Sequence, residues 1–213
     1  MKGLLIKDYK LFMIQKKVWI GFVLLLGGVY LYLEMYDFLL GYSIFFGGVL
    51  ITVTFSYEEL DNGSTFLFTL PFETNMYIQE KYIFGLILGL CAYGVAVIET
   101  VVCQILRNGE LLHGDFWLRN LWYVEILCCI LAVNIPIQVK FGAEKGRFIS
   151  VGVLVILGVL CVFFAQKGMM DQVVQYVHDV PNWGLNVGGV ILTILFLTIS
   201  YFISLNIQKK KEY

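Results

Sequence analysis

Apolar residues dominate six stretches of the 213-residue chain, and each stretch is about as long as a bilayer is thick. A helix that crosses a hydrocarbon core of about 30 Å needs about 20 mostly apolar residues, and only helices or closed barrels satisfy their backbone hydrogen bonds there. The stretches cover 18–36, 38–57, 83–106, 120–139, 149–166 and 185–207. The pattern predicts an all-α polytopic membrane protein with six transmembrane helices.

The segments outside these stretches are short, so the chain is predicted to form a single transmembrane domain over residues 1–213. Its parts are an interfacial helix over 1–17, spans one and two over 18–57, a cytoplasmic segment over 58–82, spans three to six over 83–207 and a tail over 208–213.

The first 17 residues have the pattern of an amphipathic helix that lies at the membrane surface. One predicted face is apolar and carries Leu5, Ile6, Tyr9, Phe12 and Met13. The opposite face is largely polar and carries Lys7, Asp8, Lys10 and Gln15, with Leu4 and Leu11 interrupting it. A solvated extension of the first membrane helix is the alternative.

Positive charge is distributed unevenly among the connecting segments and predicts the orientation of the chain. Short loops rich in Lys and Arg remain in the cytoplasm, so both termini are expected to be cytoplasmic. Twelve of the 15 basic residues lie on the segments of that side: Lys2, Lys7, Lys10, Lys16, Lys17, Lys81, Lys140, Lys145, Arg147, Lys209, Lys210 and Lys211. The overall formal charge of −1 hides this asymmetry and gives no reason to expect a nucleic-acid partner.

Composition agrees with a packed membrane bundle. The chain is 59% hydrophobic and contains 21 glycines but 3 prolines, and its mean hydropathy is +0.80. Gly85 and Gly89, like Gly184 and Gly188, have the small-xxx-small spacing that lets two helices approach closely. These pairs predict either a subunit interface or packing within the chain.

Candidate catalytic chemistry is sparse. The five cysteines all lie in predicted spans, and no Cys-x-x-Cys or His-x-x-x-His spacing occurs, so neither a metal site nor a catalytic residue is expected. Glu58 and Glu59 resemble the start of the Glu-Glu-x-x-x-Arg motif of intramembrane proteases that process prenylated proteins, but Gly63 stands at the arginine position.

The segment 58–82 is the most distinctive stretch outside the predicted spans. It holds five acidic residues and one lysine, although it is predicted to face the cytoplasm. Asn62 and Gly63 form a turn signal, and Glu73 or Thr74 can cap a helix that runs directly into the third span. A negatively charged cytoplasmic helix is typical of a docking element for a soluble partner; a solvated connector is the alternative.

These residues resemble the small permeases of ABC-2 type transporters. The resemblance rests on the lysine-bearing N-terminal helix, on the acidic turn at Gly63 after span two, and on Thr69-Leu70-Pro71-Phe72 followed by a helix that ends in Lys81-Tyr82. It implies that the loop between spans two and three is the coupling helix that contacts an ATPase subunit. By resemblance, the coupling residues are Glu73, Thr74, Asn75, Met76, Tyr77, Ile78, Glu80 and Lys81.

The resemblance also implies the partners. The chain has no Gly-x-x-x-x-Gly-Lys-Ser/Thr loop for phosphates, so ATP and Mg²⁺ are expected on a separate ABC ATPase dimer, and no cofactor on this chain. A second permease, either another copy or a homologue, is expected beside it in the bilayer of a bacterial cytoplasmic membrane.

Three acidic residues lie in the outer halves of predicted spans: Glu34, Glu99 and Glu125. Charged groups at such depth normally face protein or water and often mark a pathway. Glu99 and Glu125 are expected on adjacent helices, where they could share one aqueous cavity. The alternatives are a headgroup contact for Glu34 and, for the other two, pairing with Arg107, Arg119 or polar neighbours such as Gln104.

The sequence therefore predicts a transport subunit rather than an enzyme: the permease of an ABC exporter for an amphipathic or cationic substrate, such as a peptide, an antibiotic or a lipid-like molecule. A six-helix solute carrier or a substrate-capture subunit is the alternative, followed by an intramembrane enzyme.

Overall fold

The computed structural model describes residues 2–14, 16–32, 36–60, 63, 67, 69, 73–106, 114–166 and 182–211. Seven long helices account for nearly all of them, and no strand occurs within these ranges, so the predicted all-α class is confirmed. The helices are α1 (Lys2–Ile14), α2 (Lys16–Tyr32), α3 (Tyr36–Glu59), α4 (Thr74–Leu106), α5 (Gly114–Phe141), α6 (Ala143–Gln166) and α7 (Asn182–Lys209).

Within the described residues, four helices contain segments that are long and apolar enough to cross a membrane. The segments are Phe38–Glu59, Thr74–Val102, Leu121–Phe141 and Val187–Lys209, and α1 with α2 would provide a fifth if that bent pair is one span. They match four of the six predicted spans. The other two predicted spans, 18–36 and 149–166, fall mostly within α2 and α6, which the structure does not establish as membrane-crossing.

Helices α3 and α5 form the centre of the bundle. Helix α3 packs against α1, α2, α4, α5 and α6, and α5 packs against α3, α4, α6 and α7. Fully buried Ile44 and Ile51 of α3 meet Leu127 and Leu131 of α5 in one apolar cluster. Because lipid tails are as apolar as these side chains, close van der Waals packing is what favours helix contact here.

Small residues bring α3 and α4 together. A Cβ atom on Gly47 would lie 2.7 Å from the Cα atom of Gly89, so the two backbones approach more closely than any side chain permits. Gly85 and Gly89 also accommodate Leu131 and Leu127 of α5. The Gly85-x-x-x-Gly89 pair therefore serves packing within the chain, which confirms one of its two predicted roles.

A hydrogen-bonded link joins α7 to two other helices. Ser200 donates to the carbonyl of Ala132 on α5 at 2.6 Å. Its hydroxyl has one proton, so it accepts from the phenol of Tyr82 on α4, also at 2.6 Å. This link holds α7 in a fixed rotation against α4 and α5.

The pattern of burial along α1 differs from the predicted division into an apolar and a polar face at four residues. Leu4 and Asp8 are buried against the bundle, whereas Ile6 and Tyr9 are 55% and 54% exposed. The reason is electrostatic: Asp8 turns inward because Lys81 of α4 is buried beside it, and their nitrogen and oxygen atoms are 2.6 Å apart.

The C-terminal end of α3 contacts the N-terminal end of α6 beside a tight turn. Gly142 between α5 and α6 has a φ of 80°, a left-handed conformation that favours glycine. The side chain of Glu59 accepts a hydrogen bond from the backbone N–H of Ala143 at 2.8 Å and so caps α6. We call this end of the bundle the charged end. It comprises α1, Glu58 and Glu59, the start of α4, residues 142–147 and residues 209–211.

Candidate functional site

A buried ammonium group lies at the centre of the charged end. Lys81 of α4 is 0% exposed. Its Nζ atom donates to Asp8 Oδ2 at 2.6 Å, to Glu58 Oε1 at 2.6 Å and to Thr54 Oγ1 at 3.1 Å. An ammonium group has three protons, and here each one has an acceptor. The rings of Phe55 and Tyr77 also lie 4.8 Å and 5.4 Å from Nζ, within the range of cation–π attraction.

The acceptors around Lys81 come from two other helices, so the contacts join three helices. Asp8 belongs to α1, Glu58 and Thr54 belong to α3, and Lys81 itself belongs to α4. The hydroxyl of Tyr77 donates to Glu58 Oε2 at 2.7 Å, and Lys7 of α1 contacts Glu58 Oε1. We call Lys7, Asp8, Thr54, Glu58, Tyr77 and Lys81 the ion cluster. It ties the N-terminal helix to the junction between α3 and α4.

Charge within the ion cluster controls the ionisation of Asp8. Burial alone would raise the pKa of its carboxyl group, but the positive charges of Lys81 and Lys7 together outweigh that effect and hold the pKa below its ordinary value. Asp8 therefore stays ionised although no part of it is exposed. An ionised Asp8 beside Lys81 is what a buried ion pair requires.

The predicted coupling helix forms the first two turns of α4. The carbonyl of Glu73 accepts from the backbone N–H groups of Met76 and Tyr77 at 2.9 Å and 3.3 Å, so Glu73 is the N-terminal cap. This confirms that the segment is helical and runs without a break into the third predicted span, as α4 extends to Leu106.

The eight predicted coupling residues divide into two groups by exposure. Glu73 and Met76 are exposed and Thr74 and Asn75 are partly exposed, whereas the remaining four are buried within the chain: Tyr77, Ile78, Glu80 and Lys81. Glu80 was expected to offer a surface charge, but it is 0% exposed, and its carboxylate lies 4.0 Å from Lys81. A partner at this end would meet the first turn of α4, with the ion cluster behind it.

A second feature of the charged end is an open groove of about 890 Å³ between α2, α3 and α6. Its charged lining residues are Glu59, Glu144, Lys145 and Arg147. Arg147 donates to the hydroxyl of Ser56 at 2.7 Å, which adds to the cap at Glu59 in holding α6 against α3. The groove contains both signs of charge, so it has no strong electrostatic preference.

The structure places the predicted membrane glutamates apart. The Glu99 carboxylate of α4 packs against Gly27 of α2, and the Glu125 carboxylate of α5 packs against Gly189 of α7. Glu99 and Glu125 line separate cavities, so the expectation that they share one cavity was wrong. Leu127 marks the face of α5 that contacts α4, because it packs against Gly89 there. Glu125 precedes Leu127 by two residues, or about 200° around the helix, and so lies on nearly the opposite face of α5. Glu34 lies outside the described residues.

The sequence did not indicate the ion cluster, because residues 8, 58 and 81 are paired only by the packing of three helices. A weak signal existed, since Asp8 and Lys81 are charged residues inside or beside apolar stretches. The sequence pattern also did not single out Gln138 of α5, which is buried against Gly146 of α6, or Ser150 of α6, which is 5% exposed.

Comparison with known proteins gave one family. The sequence profile of a family described as ABC-2 family transporter protein matches residues 3–209. Neither a curated protein nor a solved structure shows a significant match to the chain.

Proposed function

Because the chain belongs to the ABC-2 transporter family, we propose that it is the membrane permease of an ABC exporter. The observation that carries this proposal is the family match over nearly the full length of a multi-pass helical protein. In the proposed assembly a separate ABC ATPase dimer binds ATP and Mg²⁺. A second permease, identical or homologous, completes a pathway for an amphipathic or cationic substrate.

The first turn of α4 is the proposed contact with the ATPase. Helix α4 has 33 residues, so it is about 50 Å long, and about 20 Å of it extends beyond a hydrocarbon core. Exposed Glu73 and Met76 offer one charge and one flexible apolar group to a partner. Because α4 is unbroken, a displacement of its first turn is transmitted along the helix into the membrane. The ion cluster transmits the same displacement to α1 and α3.

The proposed topology has six spans, with α2 and α6 as the first and fifth. An even number of spans places both termini on the same side, and the charged end is then cytoplasmic in a bacterial cytoplasmic membrane. Support comes from the concentration of lysine and arginine at that end.

The proposal is tested by co-expressing the chain with each ABC ATPase subunit encoded in its source genome. Both proteins are purified together and placed in nanodiscs, and ATP hydrolysis is compared with that of the ATPase alone. We expect a stable complex with altered hydrolysis. Failure of the two proteins to associate, together with unchanged hydrolysis, would reject the permease assignment.

Variants of the first turn locate the contact within that complex. Glu73→Lys combined with Met76→Asp is expected to reduce association at least about tenfold, because an exposed charge and an apolar anchor are both reversed. The control is Glu144→Lys, which makes the same charge change as Glu73→Lys alone, at an exposed position on α6. Equal loss in the control would move the contact from α4 to the groove between α2, α3 and α6.

A further inference from the structure

A cavity of about 500 Å³ is lined by residues of α5, α6 and α7. Cavities that hold drug-sized ligands have volumes of about 300–1,000 Å³, so this one has room for such a molecule. Most of its wall is apolar, with Trp122, Ile126 and Ile130 from α5 and Leu192 and Phe196 from α7. An apolar wall of this kind accommodates the body of an amphipathic molecule.

One carboxylate interrupts the apolar wall. Glu125 is the only charged residue among the described lining residues, and its Oε1 atom is buried without a hydrogen-bond partner among them. Gly189 allows the carboxylate to lie close to α7, because a Cβ atom there would overlap Oε2 of Glu125. A negative group in an apolar cavity favours a positively charged group beside it. The side chain of Arg119, one of the ion-pair partners considered from the sequence, lies outside the described residues.

A second polar region lies along the same cavity. Ser150 of α6 is 5% exposed, and its hydroxyl has no partner within the described ranges. Asn134 of α5 is 2% exposed and lines the same space. Nine residues of helix separate Asn134 from Glu125, which corresponds to about 13 Å. The cavity thus offers a negative group at one level and hydrogen-bonding groups at another, with apolar surface between them.

We propose that this cavity binds the transported substrate, an amphipathic cation whose positive group pairs with Glu125 and whose apolar body packs against Trp122, Leu192 and Phe196. The proposal rests on the assignment of the chain as an exporter permease and gives that function a substrate class and a site. Glu99 lies in the separate cavity against Gly27 and has no part in this site.

Direct binding tests the site without the ATPase. The purified chain in phosphatidylcholine nanodiscs is titrated with radiolabelled tetraphenylphosphonium, and binding to empty nanodiscs is subtracted. Tetraphenylborate, an anion of nearly the same size and shape, is titrated in parallel. We expect saturable binding of the cation and at least about tenfold weaker binding of the anion, because the carboxylate attracts one and repels the other.

Two variants connect that binding to the cavity. Glu125→Gln removes the charge and Val133→Trp fills the space, and each is expected to weaken tetraphenylphosphonium binding by about tenfold or more. The matched control Glu144→Gln removes a charge at the charged end and should leave binding unchanged. Size-exclusion profiles and thermal unfolding verify that all three variants fold.

The outcomes separate this site from the exporter assignment. Absent binding of the cation, equal binding of the anion, or unchanged binding by folded Glu125→Gln would overturn the site, even if the chain still associates with the ATPase. Glu125-dependent binding by a chain that neither associates with the ATPase nor alters its hydrolysis would support the site and reject the exporter.

Discussion

Among single residues, Lys81 depends most on its neighbours. Removing an ammonium group from water costs several kcal/mol, and this cost is offset only where good geometry and additional hydrogen bonds compensate the charge. Asp8, Glu58 and Thr54 supply that compensation, and each belongs to a helix other than α4. The stability of Lys81 is therefore a property of how α1, α3 and α4 are arranged.

Replacing Lys81 with methionine should destabilise the protein by about 3–5 kcal/mol, because Asp8 and Glu58 would lose the fully buried one of their two cations and keep only the partly exposed Lys7. Lys7→Met should cost at most about 1 kcal/mol, because Lys7 is partly exposed and water can compensate its loss. Unfolding in mixed micelles by titration with sodium dodecyl sulfate measures both. Equal costs for the two variants would show that burial of Lys81 does not determine its contribution.

At the level of the helices, the contact between α3 and α4 depends on glycine. The backbone of α4 at Gly89 occupies the space that a side chain on Gly47 would need. Leu127 and Leu131 of α5 then fill the space beside Gly89 and Gly85. Three helices meet closely because two of them lack side chains at the points of contact.

Gly47→Ala should therefore cost about 1–3 kcal/mol, because the new methyl group meets backbone rather than a movable side chain. Gly94→Ala on α4 is the control: no atom lies within 4 Å of the added Cβ, and alanine favours a helix over glycine by up to about 1 kcal/mol. Thermal unfolding in detergent compares the two. A Gly47→Ala protein as stable as Gly94→Ala would contradict the close approach of α3 and α4.

Across the entire chain, the distribution of charge gives the bundle a direction. Both the N-terminal helix and the end of α7 lie at the charged end, where Lys211 is close enough to Glu59 to interact electrostatically. Glu99 and Glu125 lie toward the opposite end of the bundle, where α4 ends and α5 begins. A permease oriented this way would present α4 to the cytoplasm and the Glu125 cavity to the outer half of the bilayer.

Cysteines introduced in place of Lys2 and Lys211 test that direction. In a background without native cysteines, both should be protected from an impermeant thiol reagent in intact cells and react after permeabilisation, because positively charged segments remain cytoplasmic. Labelling of either position in intact cells would reverse the orientation and place the first turn of α4 out of reach of an ATPase.

The sequence alone determined the features that depend on local residue properties. Apolar stretches predicted the all-α class and four spans that the structure contains, since hydrophobic length is a property of consecutive residues. The start of the next helix at Glu73 or Thr74 was also predictable, because a helix begins where local hydrogen-bond acceptors permit, and the structure has Glu73 as the cap. The family resemblance rested on motifs within the first 85 residues, and the family match covers residues 3–209.

Only the tertiary structure decided which polar groups meet. Helical periodicity tells which residues share a face, but the rotation of each helix and its choice of neighbour depend on packing between distant segments. For that reason Asp8 turned inward to Lys81, Glu80 proved buried, and Glu99 and Glu125 lie in separate cavities. A buried charge is stable only beside a compensating group, and the fold alone determines which group that is.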